Sequence, residues 1–160
     1  NNIGHWSEWI PSNQNTIFSD KSFTEERIKE VDFEQFGKLH RPENQKYEQI
    51  DVRDISLESD SVDIVIAIGL ISKQVLWGDD LVVSLDEITR VLNHGGKLFC
   101  EMKSEYVPEF RNIVEGDYEL SQFSLDGRPL QVADILEISN IDRGVNRSLI
   151  ELTVVTVDDA

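Results

Sequence analysis

The sequence predicts a Rossmann-like α/β fold: a mostly parallel sheet with helices on both faces and a C-terminal antiparallel hairpin. Three observations predict it. The run Val62 to Ile68 is almost entirely β-branched, the mark of a strand covered on both faces. Leu81, Leu85, Ile88 and Leu92 then recur on one helical face, followed by Gly95-Gly96 as a stop and by a second apolar strand, Lys97 to Met102. Strand, crossover helix and strand make a parallel α/β unit. Finally, Ile135 to Ile141 and Ser148 to Val157 alternate like two strands joined by a loop at residues 142–146.

The remaining elements follow in chain order. Residues 5–10 suit a short helix stopped at Pro11, and Ser12 to Asn15 a polar turn. Thr16 to Ser19 reads as a short strand. Ser22 and Glu25 have capping-box spacing, so a helix is expected from about Phe23 to Phe36, stopped at Gly37. Residues 38–46 are polar and contain Pro42, which marks a loop. Tyr47 to Val52 reads as a strand and Ile55 to Asp60 as a connector. Gly69 to Gly78 forms a loop, and Asp79 or Asp80 caps the crossover helix. Tyr106 to Val114 is expected to be helical with Pro108 in its first turn. Gly127-Arg128-Pro129 signals a turn within 117–131.

A chain of 160 residues is expected to form one domain, residues 1–160, large enough for a real core. Its net charge is −16, from 15 basic and 31 acidic residues. That field repels a phosphate backbone, and the basic residues are scattered, so nucleic acid is not an expected partner. The acidity serves solubility or meets a basic protein partner. The single cysteine, Cys100, falls in a predicted buried strand and has no internal mate; it reads as a small core residue, in a reducing, cytoplasmic setting. No apolar run approaches the roughly 18 residues of a membrane span. The chain starts at Asn1 rather than Met, so it is expected to lie inside a longer sequence.

The run from Ser61-Val62-Asp63 through Glu87-Ile88-Thr89-Arg90-Val91-Leu92-Asn93-His94-Gly95-Gly96 to Leu98 resembles the middle of class I S-adenosylmethionine-dependent methyltransferases. There a strand opening "S-F-D" is followed by a helix ending "E-I-x-R-V-L-x-x-G-G". The resemblance covers roughly residues 4–102, and the terminal hairpin is also how that fold ends. It implies S-adenosylmethionine as cofactor and methyl transfer as activity. The family's first strand would lie upstream of residue 1.

The resemblance also implies site residues. Gly4, with Asn2 before it, matches the tail of the glycine-rich turn that lies against the cofactor, where bare backbone permits close approach. Asp20, with Lys21 beside it, stands at the end of the second strand, where the family uses a carboxylate as a double acceptor for the ribose diol. Asp20 also reads as a cap for the next helix. Asp51 and Val52 match the positions that meet the adenine amino group and ring; Asp54 is the alternative if the register slips. Ile68 and Gly69, at the carboxyl end of the central strand, would face the sulfonium and the acceptor.

Other candidates carry simpler readings. Asp63 caps a neighbouring turn rather than acting as a catalyst, since a buried carboxylate needs partners. His5 and His94 are general bases only by default; His94 reads as a cation at a helix C-terminus. Trp6, Trp9 and Trp77 suit core packing or an aromatic wall. Zinc, calcium, phosphate-loop and serine-hydrolase motifs are absent from the sequence. The expected function is methyl transfer to a small-molecule or peptide nucleophile. The alternative is a methyltransferase-like binding or scaffold domain without activity.

Overall fold

The computed structural model describes residues 15–21, 24–36, 43–115, 130–140 and 145–155. The chain divides into two compact units, residues 1–51 and 52–160, each taken by itself below.

In the first unit, β1 (Thr16–Ser19) pairs in parallel with β2 (Gln45–Glu48), and α1 (Glu25–Phe36) joins them. The register runs from Thr16 opposite Gln45 to Ser19 opposite Glu48. Strand β2 therefore begins before the expected Tyr47 and ends at Glu48 rather than Val52, because its ladder partner runs out at Ser19. Helix α1 starts at Glu25, not Phe23. The cap is Thr24, whose hydroxyl accepts the Arg27 N–H at 3.2 Å while its carbonyl accepts the Ile28 N–H at 2.9 Å. Ser22, the expected cap, and Gly37, the expected stop, lie outside the described residues, as do residues 5–10.

In the second unit, β3 (Val62–Ile68), α2 (Gly78–Val91), β4 (Leu92–Lys103), α3 (Val107–Glu115), β5 (Leu130–Asn140) and β6 (Val145–Val154) follow in order. A 3₁₀ turn, Ser104–Tyr106, leads into α3, which carries Pro108 in its first turn as expected. The sheet order is β3-β4-β6-β5. Strands β3 and β4 are parallel, joined through α2, while β4–β6 and β5–β6 are antiparallel. Mixed α/β architecture is thus present, with two antiparallel pairings to one parallel pairing in this sheet. The strands β5 and β6 start earlier than expected, so Val145 and Asn146 belong to β6 rather than to a loop.

The core occupies one side of the sheet. Leu98, Cys100 and Met102 of β4 and Ile150, Leu152 and Val154 of β6 are buried. Leu81, Leu85, Ile88 and Val91 of α2 and Phe110 and Ile113 of α3 are buried as well. The opposite side differs from the expected fully covered strand. Ile64 and Ile66 of β3 are 54% and 57% exposed, and only Ala67 of that strand is buried. A sequence rich in β-branched residues sets the backbone as a strand; burial of each face depends on what packs there.

The predicted end of α2 also moves. The helix stops at Val91, and Leu92 is already extended (φ −71°, ψ 137°). Gly95 and Gly96 therefore lie inside β4, not at a helix stop. Val62 pairs with Leu92 and Ile64 with Lys97, so a single residue, Asp63, faces the four-residue excursion Asn93 to Gly96. Gly95 takes φ +73° there, and a Cβ on Gly96 would meet the Asn93 carbonyl at 2.7 Å. The Asn93 amide donates to Asp63 Oδ1 at 2.6 Å. Asp63 thus tethers the turn beside it, as expected, though from an exposed position rather than a buried one. At the other end of α2 the N-cap is Trp77, without a side-chain cap bond; Asp79 and Asp80 sit in the first turn, where they complement the helix dipole.

Candidate functional site

Parallel strands bring their carboxyl ends to one edge, the edge at which open α/β sheets bind ligands. In the first unit that edge holds Asp20, Lys21 and the segment after β2. The Asp20 N–H donates to the Glu48 carbonyl at 3.4 Å, and the Gln49 side-chain amide donates to the Lys21 carbonyl at 2.8 Å. These bonds fasten the turn after β1 to the segment that ends at Asp51. Asp20 and Asp51 are half-buried and Lys21 is exposed.

The second unit opens with Val52, in a turn with Arg53. The connector behind it is clamped by the last turn of α2. The Ile55 N–H donates to Glu87 Oε2 at 2.8 Å. Arg90 donates to the Ile55 carbonyl at 2.7 Å, the Leu57 carbonyl at 3.0 Å and Glu87 Oε1 at 2.9 Å. The Asp60 and Ser61 N–H groups donate back to the Arg90 and Val91 carbonyls at 3.1 and 2.9 Å. The Arg90 guanidinium holds the Glu87 carboxyl below its ordinary range, against the opposing effect of burial. Glu87 and Arg90 carry this clamp, yet the sequence reading gave them no role of their own. The available signal was an opposite-charge pair at i and i+3 on an otherwise apolar helix end.

At the carboxyl edge of β3 and β4, Ile68 is 39% exposed and Gly69 turns the chain with φ +63°. The Gly69 N–H donates to Glu101 Oε2 at 3.1 Å, and Glu101 is in turn paired with Arg147 of β6. The loop beyond closes on itself, with the Leu76 N–H donating to the Ser72 carbonyl at 2.9 Å. It is fastened to α3: Lys73 pairs with Glu109 at 3.0 Å, and the Trp77 indole donates to the same carboxylate at 3.4 Å. The Trp77 and Tyr106 rings lie 5.5 Å apart, with the Lys73 ammonium 5.8 Å from each. The Lys73 hydrogen bond holds the exposed Glu109 carboxyl below its ordinary range.

Of the two histidines offered as default bases, His94 does not reach this edge. His94 sits in the excursion at the amino end of β4, three residues past the end of α2, so it is not the helix-terminal cation expected. His5, Trp6 and Trp9, with Asn2 and Gly4, lie outside the described residues. Cys100 is buried, and burial pushes its thiol up, away from the nucleophilic thiolate. Among the described residues no cluster of His, Cys, Asp and Glu could hold a metal ion, and no helix is long and apolar enough to cross a membrane. The structure therefore brings Asp20 and Lys21 to the segment that leads to Asp51 in one unit, and Ile68 and Gly69 to Glu101 in the other.

Solved structures share the fold. The N-methyltransferase NodS from Bradyrhizobium japonicum WM9 matches with a TM-score of 0.64 at 11% identity, over 96% of this chain and 81% of that one. A 16S rRNA (adenine(1408)-N(1))-methyltransferase variant from Catenulisporales acidiphilia matches with 0.62 at 14% identity, over 97% and 80%. The 1,6-didemethyltoxoflavin-N1-methyltransferase of Burkholderia thailandensis, solved with 1,6-didemethyltoxoflavin and S-adenosylhomocysteine, matches with 0.57 at 10% identity, over 88% and 61%. No curated protein matches the sequence. The model of the methyltransferase domain matches residues 20–100, just over half of the chain, from Asp20 through both parallel strands of the second unit. The chain belongs to the methyltransferase domain family.

Proposed function

We propose that this domain transfers the methyl group of S-adenosylmethionine to a small-molecule or peptide nucleophile. The observation that carries the reading is the family match, which begins at Asp20 and spans Asp51, Val52, Ile68 and Gly69. The chemistry of these residues fits the cofactor. Asp20, supported by Lys21, accepts from the ribose hydroxyls, and Asp51 accepts from the adenine amino group while Val52 lies against the ring. Gly4 would leave the backbone bare against the methionine portion, and Asn2 stands where the family usually has a glycine or another small residue. Ile68 and Gly69 line the side from which the acceptor enters.

The bound cofactor supplies a sulfonium that is already a strong electrophile. The chain's own task is then to hold the acceptor in line and keep it there, which is the larger share of the rate for such a transfer. The loop Gly69–Trp77, strapped to α3 through Lys73, Glu109 and Tyr106, suits that task. Lys73 is ion-paired with Glu109 at 3.0 Å, an arrangement that suits alignment of the acceptor. The charge of −16 favours a small or peptidic acceptor over a nucleic acid. Soluble, cytoplasmic chemistry accords with the lone buried cysteine.

Calorimetric titration of the chain with S-adenosylhomocysteine tests the reading. Micromolar binding is expected, lost in Asp20→Ala and in Asp51→Ala. An absence of binding by the wild-type chain would instead favour a methyltransferase-like scaffold without activity.

A further inference from the structure

We propose that Glu101 is a positioning residue for the turn at Gly69, and that Arg147 fixes Glu101 in that role. The proposal rests on the functional reading above, in which Ile68 and Gly69 border the cofactor and the acceptor. Glu101 lies on β4 directly opposite Ile68 in the parallel register. Its Oε2 accepts the Gly69 N–H at 3.1 Å and the Arg147 Nη2 at 3.1 Å, and its Oε1 accepts from Arg147 Nε. One carboxylate therefore joins three neighbouring strands, β3, β4 and β6, at the carboxyl end of the parallel pair.

Three features make the arrangement more than an ordinary surface ion pair. The guanidinium is engaged through two nitrogens, which fixes the plane of the carboxylate as well as its place. The Glu101 and Arg147 side chains are only 17% and 30% exposed, so water competes weakly. The third bond goes to the backbone N–H of Gly69 (φ +63°), a glycine with no Cβ to restrict its own backbone, so an outside partner is what narrows its conformation. Fixing that N–H fixes the Ile68–Gly69 peptide plane, since the peptide is planar and trans. The direction in which the chain leaves β3 for the acceptor loop is thereby set by a side chain from the next strand and a cation from the one beyond it.

The test uses the full chain, labelled with nitrogen-15, and two readouts: hydrogen exchange at the Gly69 amide and calorimetric affinity for S-adenosylhomocysteine. In Glu101→Ala the Gly69 amide should exchange about tenfold faster and the affinity should fall about tenfold, the size of one lost charge-assisted hydrogen bond. Glu101→Gln keeps a single carbonyl acceptor for two sets of donors, so it should fall between, with changes of about threefold. Should Glu101→Ala fail to fold, Glu101→Gln decides the matter. Glu151→Ala, which removes the neighbouring Lys97 pair on the same sheet, should leave both readouts at the wild-type level. Wild-type binding together with unchanged exchange and affinity in the Glu101 variants would overturn the positioning role alone. A wild-type chain that binds no S-adenosylhomocysteine would overturn the functional reading, and this role with it.

Discussion

The two faces of the four-stranded sheet share apolar residues on β3 and meet different surroundings. On one face Val65, Ala67, Leu98, Cys100, Ile150 and Leu152 alternate along three strands, and all but the half-buried Val65 are buried. On the other, Ile64, Ile66 and Ile68 stand beside Lys97, Phe99 and Glu101, and the three isoleucines are 39–57% exposed. Among the described residues, β3 has a hydrogen-bonded neighbour on β4 only, whereas β4 is paired along both edges. Apolar composition is therefore a statement about the backbone, and burial is a statement about layers. The same isoleucine repeat that specifies a strand says little about how much free energy its side chains contribute.

The largest expected effect is on the covered face. Leu98 is fully buried, next to Leu152 across the ladder. Leu98→Ala removes buried apolar surface and leaves a cavity, at a cost of about 2–5 kcal/mol. Urea denaturation should show the midpoint falling with little change in slope. A loss under about 1 kcal/mol would mean that this face is packed no better than the other.

A smaller effect should come from the clamp at the end of α2, the helix that covers that face. Arg90 and Glu87 are each 16% exposed and hydrogen-bonded bidentately, and together they hold three backbone groups of the connector. Glu87→Gln keeps the shape and loses the charge, so about 1–2 kcal/mol should be lost at neutral pH. The sign with pH follows from the direction of the shift. The folded carboxyl lies below its ordinary 4.5, so between the two values the unfolded chain binds more protons and stability rises with pH. The contribution is complete above the unfolded value of 4.5 and disappears as pH falls through the folded one. The stability gap between wild type and Glu87→Gln should accordingly close in acid, as read from denaturation midpoints across pH. A gap that stayed constant below pH 4.5 would assign the loss to packing instead.

The contrast between the faces also explains what the sequence could and could not disclose. Strand β3 was legible to the residue, because five β-branched residues among seven leave little choice of backbone. The buried helical stripe Leu81, Leu85 and Ile88 was legible for the same reason, a clean period. The glycine pair was misleading: Gly95-Gly96 looked like a helix stop, and it serves a ladder excursion in which one glycine supplies a positive φ and the other makes room for the Asn93 carbonyl. Leu92 continues the apolar period of α2 but leaves it for the strand, since its backbone turns extended. At the candidate site, Asp20, Asp51 and Gly69 are proposed from the wording of the motifs. Glu87, Glu101 and Arg147 were not, because their partners lie between 30 and 50 residues away in the chain: strand register brings Glu101 to Gly69 and Arg147, and packing of α2 on the connector brings Glu87 to Ile55.

The smallest expected effect is the most informative about the second face. Ile66 is 57% exposed, so replacing it with threonine, another β-branched residue, keeps the strand propensity and removes little buried area. At about 25 cal/mol per Å² of apolar surface, the half-covered side chain has at most about 1 kcal/mol to lose. The expected loss is about 0.5 kcal/mol or less, several-fold below that of Leu98→Ala although the two residues lie on adjacent strands. Paired denaturation curves of the two variants give the ratio directly. If Ile66→Thr instead cost as much as Leu98→Ala, the isoleucine face would be covered in the folded protein and the two sides of the sheet would be equals, each with a packed layer over it.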